Sequence, residues 1–342
     1  MSRRTRPIPW EKKSITGARS ASKSMPKRLH HRKGFVPLPV KDGLNPTRVR
    51  LPEDGPAMRA EDFVGAVIAK QRHKHPLDDA HALHQRFSDG KVVLRDQTAL
   101  TPDSLVQPGQ DVWFYRMPAP ERPVPYRIRT VYEDEDLLVV DKPPFLATMP
   151  RGAHITETVT ARLRRATGRD ELTPAHRLDR LTSGLLLLTK RRSVRGAYQT
   201  LFAERRVEKM YEAVAPRRAW QAPQCWESRL SKVPGQLQGT VEPGEPNAVT
   251  KLLAVKEVPN EAQLQARYRT TEPLARYVLR PVTGRTHQLR LHMWDAGVPI
   301  LGDPIYPRIL PAEDEDFSVP LQLRAVSLAF ADPLTDERRR FS

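Results

Sequence analysis

One carboxylate between two guanidinium groups, followed at once by an apolar run, marks the stretch His176-Arg177-Leu178-Asp179-Arg180-Leu181-Thr182-Ser183-Gly184-Leu185-Leu186-Leu187-Leu188-Thr189-Lys190. Positive neighbours favour the charged form of a carboxylate, so Asp179 is expected to be an anion at neutral pH. An ionised aspartate suits a nucleophile or a base better than a proton donor. The competing reading is an ordinary surface Asp–Arg pair ahead of a core strand. Thr182-Ser183-Gly184 reads as a turn, and the leucines after it as a short buried strand that holds the loop rigid.

Two other stretches carry groups able to work beside that carboxylate. Val207 to Val214 reads as a strand with Lys209, Tyr211 and Ala213 on one face. A strand tyrosine is often a plain core aromatic, but an aromatic face is also what grips an unstacked base, and its hydroxyl can move a proton. In Leu279 to His292, Thr286 reads as an N-cap, because Leu289, Met293 and Ala296 recur at i, i+4 and i+7 and Gly297 can close the helix. Thr283-Gly284-Arg285 is then a loop feeding a helix N-terminus, where backbone N–H groups favour anions. His287 and His292 do not make a metal pair: five residues apart puts them about 140° apart on a helix, unlike an i, i+4 pair.

These stretches resemble one family. Arg177 to Leu187 looks like the catalytic motif of the RluA-type family of RNA pseudouridine synthases, in which the aspartate is the essential residue. The family often carries a second acidic residue where this chain has Leu181, which removes any paired-carboxylate mechanism from the motif. Lys209-Met210-Tyr211-Glu212-Ala213 is similar to the motif whose tyrosine lies against the target base. Thr283 to His292 resembles the motif whose first arginine pairs with the catalytic aspartate, which implies Arg285 as the partner of Asp179. Tyr132 to Pro144 resembles the family's opening strand, with Asp141 in place of the usual asparagine. Leu321-Gln322-Leu323-Arg324-Ala325 continues the likeness, with Arg324 where histidine is usual. Leu323 is either the apolar residue under the target base or an ordinary core leucine. Gly297 to Tyr306 also fits the pattern, and is assigned no chemistry as a Gly/Pro-punctuated loop.

The resemblance implies conversion of uridine to its C5-linked isomer within an RNA chain, carried out by Asp179, Tyr211 and Arg285. Arg177, Arg180, Lys142, His287, Gln288, Arg290 and Leu323 are the implied contacts to substrate or RNA. Asp179 either attacks C1′ or takes the C2′ proton; the sequence leaves both open. Uracil is its own leaving group and its own returning nucleophile, so no cofactor and no metal is implied. The partner is RNA, either rRNA or tRNA, and the enzyme is expected to act as a monomer. A non-catalytic RNA-binding or ribosome-assembly factor on the same scaffold is the main rival, but Asp179, Tyr211 and Arg285 are all present. A nucleoside hydrolase or nuclease would want a carboxylate cluster, which Asp179 lacks within its motif.

The elements that must position these groups come from 342 residues, enough for about two domains. A formal charge of +17 points to a polyanionic partner. Residues 1–50 hold fourteen Lys/Arg against two acidic residues, which leaves +5 for the rest. That segment lacks apolar periodicity and reads as a disordered basic arm. Residues 51–117 read as a small domain, with Phe63, Val64, Val67 and Ile68 at helical spacing, and its helix followed by short strands resembles the S4-type RNA-binding module. Asp89-Gly90 reads as a hairpin turn, and Pro108-Gly109 as a second turn before a strand at Val112 to Tyr115. Residues 118–126 are a stiff Pro-rich linker, and 127–335 the catalytic domain. The resemblance implies an α+β class, a mixed, largely antiparallel sheet with flanking helices. A single cysteine, Cys225, excludes an internal disulfide and any zinc site of several cysteines. No apolar run approaches a membrane span, and the N-terminus lacks the apolar core of a signal peptide. A soluble, cytoplasmic protein is therefore expected. The Arg/Ser-rich start also has the composition of a transit peptide.

Overall fold

The computed structural model describes residues 35–342. Its N-terminal part contains β1 (Thr47–Arg50), β2 (Met58–Arg59), α1 (Ala60–Ala69), α2 (Ala80–Ser88), β3 (Val93–Leu94), β4 (Leu105–Val106) and β5 (Asp111–Phe114). Helix α1 follows the expected spacing, burying Ala60, Phe63, Val64 and Ile68 along one stripe. Helix α2 is started by Asp79, whose side chain accepts the Ala82 N–H. It buries Leu83 and Phe87, four residues apart. Asp89-Gly90 therefore closes a helix and does not turn a hairpin. Gly90, at φ +64°, donates to the Phe87 carbonyl.

The arm expected over residues 1–50 ends too late. Strand β1 pairs antiparallel with β5, Thr47 opposite Phe114. Asp111 explains the pairing in chemical terms, since it accepts from Arg48 at 2.7 Å and Arg50 at 3.1 Å. Two charges attributed to the arm thus belong to ion pairs of the small sheet, β1-β5-β3. Residues 1–34 of the expected arm lie outside the described residues.

The Pro-rich segment 118–126 is tied to the larger part. Glu121 accepts the N–H groups of Ile155 and Thr156 at 2.9 and 2.6 Å. Val124 is buried in the larger core, and Arg162 donates to the carbonyls of Val124 and Tyr126 at 2.7 and 2.8 Å. A buried backbone needs such partners, and here they tie the segment down. Pro37–Ser342 consequently form one compact unit.

The larger part contains β6 (Arg129–Glu133), β7 (Leu137–Lys142), α3 (Val159–Thr167), β8 (Thr173–Pro174), β9 (Ser183–Thr189), α4 (Arg192–Ala203), β10 (Glu208–Pro216), β11 (Gln224–Ser231), β12 (Thr240–Glu242), β13 (Ala248–Lys256), α5 (Glu261–Tyr268), β14 (Leu274–Pro281), α6 (Gln288–Asp295), β15 (Leu323–Ala331) and β16 (Arg338–Phe341). The main sheet runs β12-β11-β13-β14-β10-β15-β9-β7-β6, with β16 on β15 and β8 on β9. All its pairs are antiparallel except β9 with β15, so the sheet is mixed and largely antiparallel. It continues past residue 335, because β16 pairs with β15 and buries Phe341.

The near-continuous apolar runs of β7 and β9 fit strands covered on both faces. Leu138, Val140, Leu186 and Leu188 face one layer, which includes Leu289 and Met293 of α6. Leu137, Val139, Leu185 and Leu187 face the other, with Val194, Tyr198 and Leu201 of α4. Gly184 already belongs to β9 rather than to a preceding turn. At φ +106°, a Cβ there would lie 2.1 Å from the Ala325 carbonyl oxygen, so the parallel crossing of β9 and β15 requires glycine. Among the described residues no helix is long and apolar enough to cross a membrane.

Candidate active site

Asp179 is displayed on the loop between β8 and β9, and both of its flanks are pinned. Leu178 and Leu181 are buried in the core. Thr148 Oγ1 donates to the Leu178 carbonyl at 2.8 Å and accepts the Leu178 N–H at 3.2 Å. Behind Asp179, Lys142 Nζ donates to the carbonyls of Arg180, Pro143 and Leu146 at 3.0, 2.9 and 2.7 Å. These bonds explain how a lysine can be fully buried. Burial pulls its pKa down to about 7, with the negative charge of Asp179 opposing.

A cavity of about 400 Å³ opens beside this loop. Asp179, Arg177, Tyr211, Arg285, His287, Gln288, Arg290 and Leu323 all line it. Asp179 is half-buried, and its carboxylate makes no hydrogen bond or ion pair among the described residues. Tyr211 comes from β10, opposite Ala325 of β15 and Leu279 of β14. The alternation along β10 buries Tyr211, Ala213 and Ala215 on one face, as expected. Burial, reinforced by the charge of Asp179, pushes the Tyr211 hydroxyl up, so it stays protonated.

Several expected contacts are not available to a ligand. Lys142 is committed to three carbonyls and lies outside the cavity lining. Arg180 also lies outside it. Its guanidinium pairs with Glu315 and sits 6.0 Å from the Phe145 ring centre. Gln288 lines the cavity, but its amide is consumed by protein. Oε1 accepts from Thr283 Oγ1 and Arg285 N, and Nε2 donates to the Val249 carbonyl and Thr250 Oγ1. The expected Thr286 cap is not formed: the N-cap is His287, with no side-chain cap bond. Arg290 is buried in a bidentate pair with Asp303, at 2.7 and 2.6 Å.

The pair expected between Arg285 and Asp179 is not formed. Arg285 is exposed at the rim, where its Nε donates to the Asn247 carbonyl at 3.2 Å. Asp179's charge instead acts on Lys142, Tyr211, His287, Arg290 and Tyr306.

Four further groups complete the wall. Lys209 lines the cavity with no hydrogen bond or ion pair among the described residues, and burial pulls its pKa down. His176 accepts the Leu187 N–H at 3.1 Å and stacks on Phe202 with ring centres 4.2 Å apart. Burial, and then the charge of Lys209, lowers its pKa to about 3, so it is neutral. Gln199 and Phe202 of α4 add to the rim. Asp303 and Tyr306, in the loop assigned no chemistry, buttress Arg290 and His287. The Arg-Asp separation of thirteen residues hid that link; the Gly-Asp turn was its only sequence signal.

Residues 136–294 match the family described as RNA pseudouridylate synthase. An uncharacterized RNA pseudouridine synthase of Synechocystis sp. is 30% identical over 242 residues, covering 69% of this chain and 77% of that protein. The dual-specificity RNA pseudouridine synthase RluA of Haemophilus influenzae is 31% identical, over 62% of this chain and 90% of its own length. Ribosomal large subunit pseudouridine synthase C of Vibrio cholerae is 33% identical, over 61% of this chain and 62% of its own. The solved structure of human RNA pseudouridylate synthase domain containing 1 aligns with a TM-score of 0.50 at 25% identity, covering 62% of this chain and 82% of that one.

Proposed function

This chain belongs to the RluA-type RNA pseudouridine synthases, and from that premise we propose that the cavity beside Asp179 is where the target uridine is isomerised. One observation carries the reading: one cavity gathers a half-buried carboxylate and cations that have no ion-pair partner among the described residues, together with an aromatic face and an apolar side chain. The target nucleotide must leave its stack to be reached. Asp179 is the reacting group, either attacking C1′ or taking the C2′ proton. The N1–C1′ bond breaks and uracil turns; C5 then bonds to C1′ as the Asp179–C1′ bond breaks or, on the other route, as the proton returns to C2′. The C5 proton leaves and N1 takes one up, so the product is an isomer. Tyr211 supplies the ring against uracil, with Leu323 beside it. Holding the freed base in place matters as much as the nucleophile.

Arg177, Lys209 and Arg285 line the same cavity and suit the phosphates on either side of a flipped nucleotide. We propose rRNA or tRNA as the substrate, in the cytoplasm, with the enzyme acting as a monomer. The relative named for the large ribosomal subunit supports the first choice. Residues 47–117 are proposed as an S4-like module that adds RNA contacts.

Asp179→Asn tests the assignment, because it keeps size and hydrogen bonding but removes the charge. The expected result is no detectable pseudouridine in a transcript that the wild-type chain modifies, with RNA affinity largely retained. A variant keeping about a tenth of the wild-type rate, a barrier change of only about 1.4 kcal/mol, would show that Asp179 is not the reacting group.

A further inference from the structure

Gly239, Tyr306 and His287 form a short hydrogen-bond chain that ends in the cavity. Tyr306 is 1% exposed. Its Oη accepts the Gly239 N–H at 2.8 Å and stands 3.0 Å from Nδ1 of His287. A phenol has one proton, and Oη has no other partner among the described residues. Were Nδ1 protonated, it would donate to Oη and leave the phenolic O–H buried without an acceptor. Both groups are satisfied only when Tyr306 donates to Nδ1, which puts the imidazole proton on Nε2.

Nε2 makes no hydrogen bond within the described residues. It is also not among the buried unpartnered atoms, so it opens onto the cavity that His287 lines. Two further features hold this arrangement. His287 sits at φ 57°, a strained backbone for a side chain of this size, where glycine would be relaxed. Tyr306 is fixed from both sides: Asp303 accepts its N–H at 3.1 Å, and the Arg290 guanidinium lies 5.2 Å from its ring centre. Burial and the nearby charge of Arg290 also keep the imidazole neutral, with a pKa near 4.

We propose that His287 is a neutral Nε2–H donor to an uncharged oxygen of the target nucleotide, and that Tyr306 is the positioning residue that fixes its tautomer. This rests on the reading of the cavity as the uridine site. A phosphate would be met by the cations Arg177, Lys209 and Arg285. A neutral donor suits a uracil carbonyl or a ribose hydroxyl, and it adds no charge to compete for Asp179.

Long-range ¹H–¹⁵N spectra of the full chain, labelled at histidine, read the tautomer without RNA; His287→Gln identifies the signal. The expected wild-type state at pH 7 is a bare Nδ1 and a protonated Nε2. Tyr306→Phe keeps the ring but loses the hydroxyl, and should give a mixture of tautomers. In a pseudouridine assay, Tyr306→Phe and His287→Phe should each lower kcat/KM about tenfold, as for one lost hydrogen bond. His287→Gln, which keeps a donor, should recover part of that loss. Targets with 2′-deoxyribose, 2-thiouracil or 4-thiouracil separate the acceptors: the correct one is that for which His287→Phe no longer differs from wild type. A protonated Nδ1 in the wild-type chain overturns the proposal. So does unchanged kcat/KM in His287→Phe, or a His287→Phe defect that none of the three targets removes. A wild-type chain that forms no pseudouridine yet shows the expected tautomer overturns the uridine reading and leaves the Tyr306–His287 geometry standing.

Discussion

Asp303→Asn asks whether the loop after α6 is anchored by a buried ion pair. Both side chains are almost sealed, Arg290 at 2% and Asp303 at 1% exposure. Asp303 also accepts the N–H groups of Ile305 and Tyr306 at 2.9 and 3.1 Å. Asparagine keeps the shape and an acceptor for those amides, but it leaves a guanidinium buried without an anion. Breaking such a pair from one side costs about 3–5 kcal/mol. The retained acceptor places the expected loss near the low end, about 3 kcal/mol, or a fall in Tm of roughly 5 °C for a unit of this size. Denaturant titration and thermal melts measure it directly. Arg290→Met combined with Asp303→Asn removes both charges, and should be more stable than Asp303→Asn alone. A loss under about 1 kcal/mol in Asp303→Asn, or singles that simply add, would refute the reasoning that each charge is buried because of the other.

Tyr211→Ala should weaken binding of the target RNA by about 1–3 kcal/mol, while Tyr211→Phe keeps the stacking face and the affinity. Slow turnover in the Phe variant would give the hydroxyl a proton-transfer role, and near-normal turnover in the Ala variant would rule out both roles. His292 is buried with neither ring nitrogen bonded among the described residues, and burial lowers its pKa to about 4 with the charge of Asp295 opposing. The unfolded chain therefore protonates first, and stability should fall as pH drops from about 6.5 to 4, by about 1.4 kcal/mol per unit from this group. His292→Leu should flatten the slope by about 1 kcal/mol per unit between pH 7 and 5, and an unchanged slope would show that His292 is protonated as readily in the fold as in the unfolded chain. Residues 1–34 carry eleven Lys/Arg and one acidic residue. If four of those charges meet phosphates, deleting 1–34 should flatten the salt slope of RNA binding by about 3. An unchanged slope would move the contacts onto the folded part. The cut belongs at 34 and not at 50, because β1 is part of the small sheet.

The groups that line the cavity were legible where a local pattern also set direction. Tyr211 was placed by strand alternation, and Asp179 by the apolar residues around it. Direction failed where it depended on tertiary partners. Arg180 follows Asp179 in sequence, yet it turns away to Glu315, 135 residues distant. Lys142 reads as a substrate or RNA contact by resemblance alone, because its three carbonyl partners carry no sequence signature. The helix at α6 kept its buried periodicity at Leu289 and Met293, but its cap was misread. Gln288 satisfies the Arg285 N–H, and no local propensity scale weighs a side chain folding back on the loop before it. Helix α2 was missed although Asp79 and the Leu83–Phe87 spacing announced it, because the Asp89-Gly90 pair suggested a hairpin.

Two departures from the RluA-type pattern, Asp141 and Arg324, turn out to be one feature. Register places Asp141 opposite Leu185 of β9, and Arg324 opposite Ser183. Their side chains meet at 2.9 Å, and Arg129 joins Asp141 at 2.6 Å. Burial alone would raise the Asp141 pKa, but hydrogen bonds from Arg324 and Arg129 outweigh it and hold the carboxyl below its usual range. Either change alone would leave the site poorly balanced: aspartate without Arg324 loses its less exposed arginine partner, and arginine without Asp141 loses its anion. The two substitutions are therefore physically coupled, and neither disturbs the cavity. Successive residues of a strand point to opposite faces. Leu323 lines the cavity with Tyr211, whereas Arg324 lines a separate cleft with Arg129 and Asp141 on the other side of the sheet. The ion pair thus lies behind the site while the face toward Asp179 keeps its apolar and aromatic character.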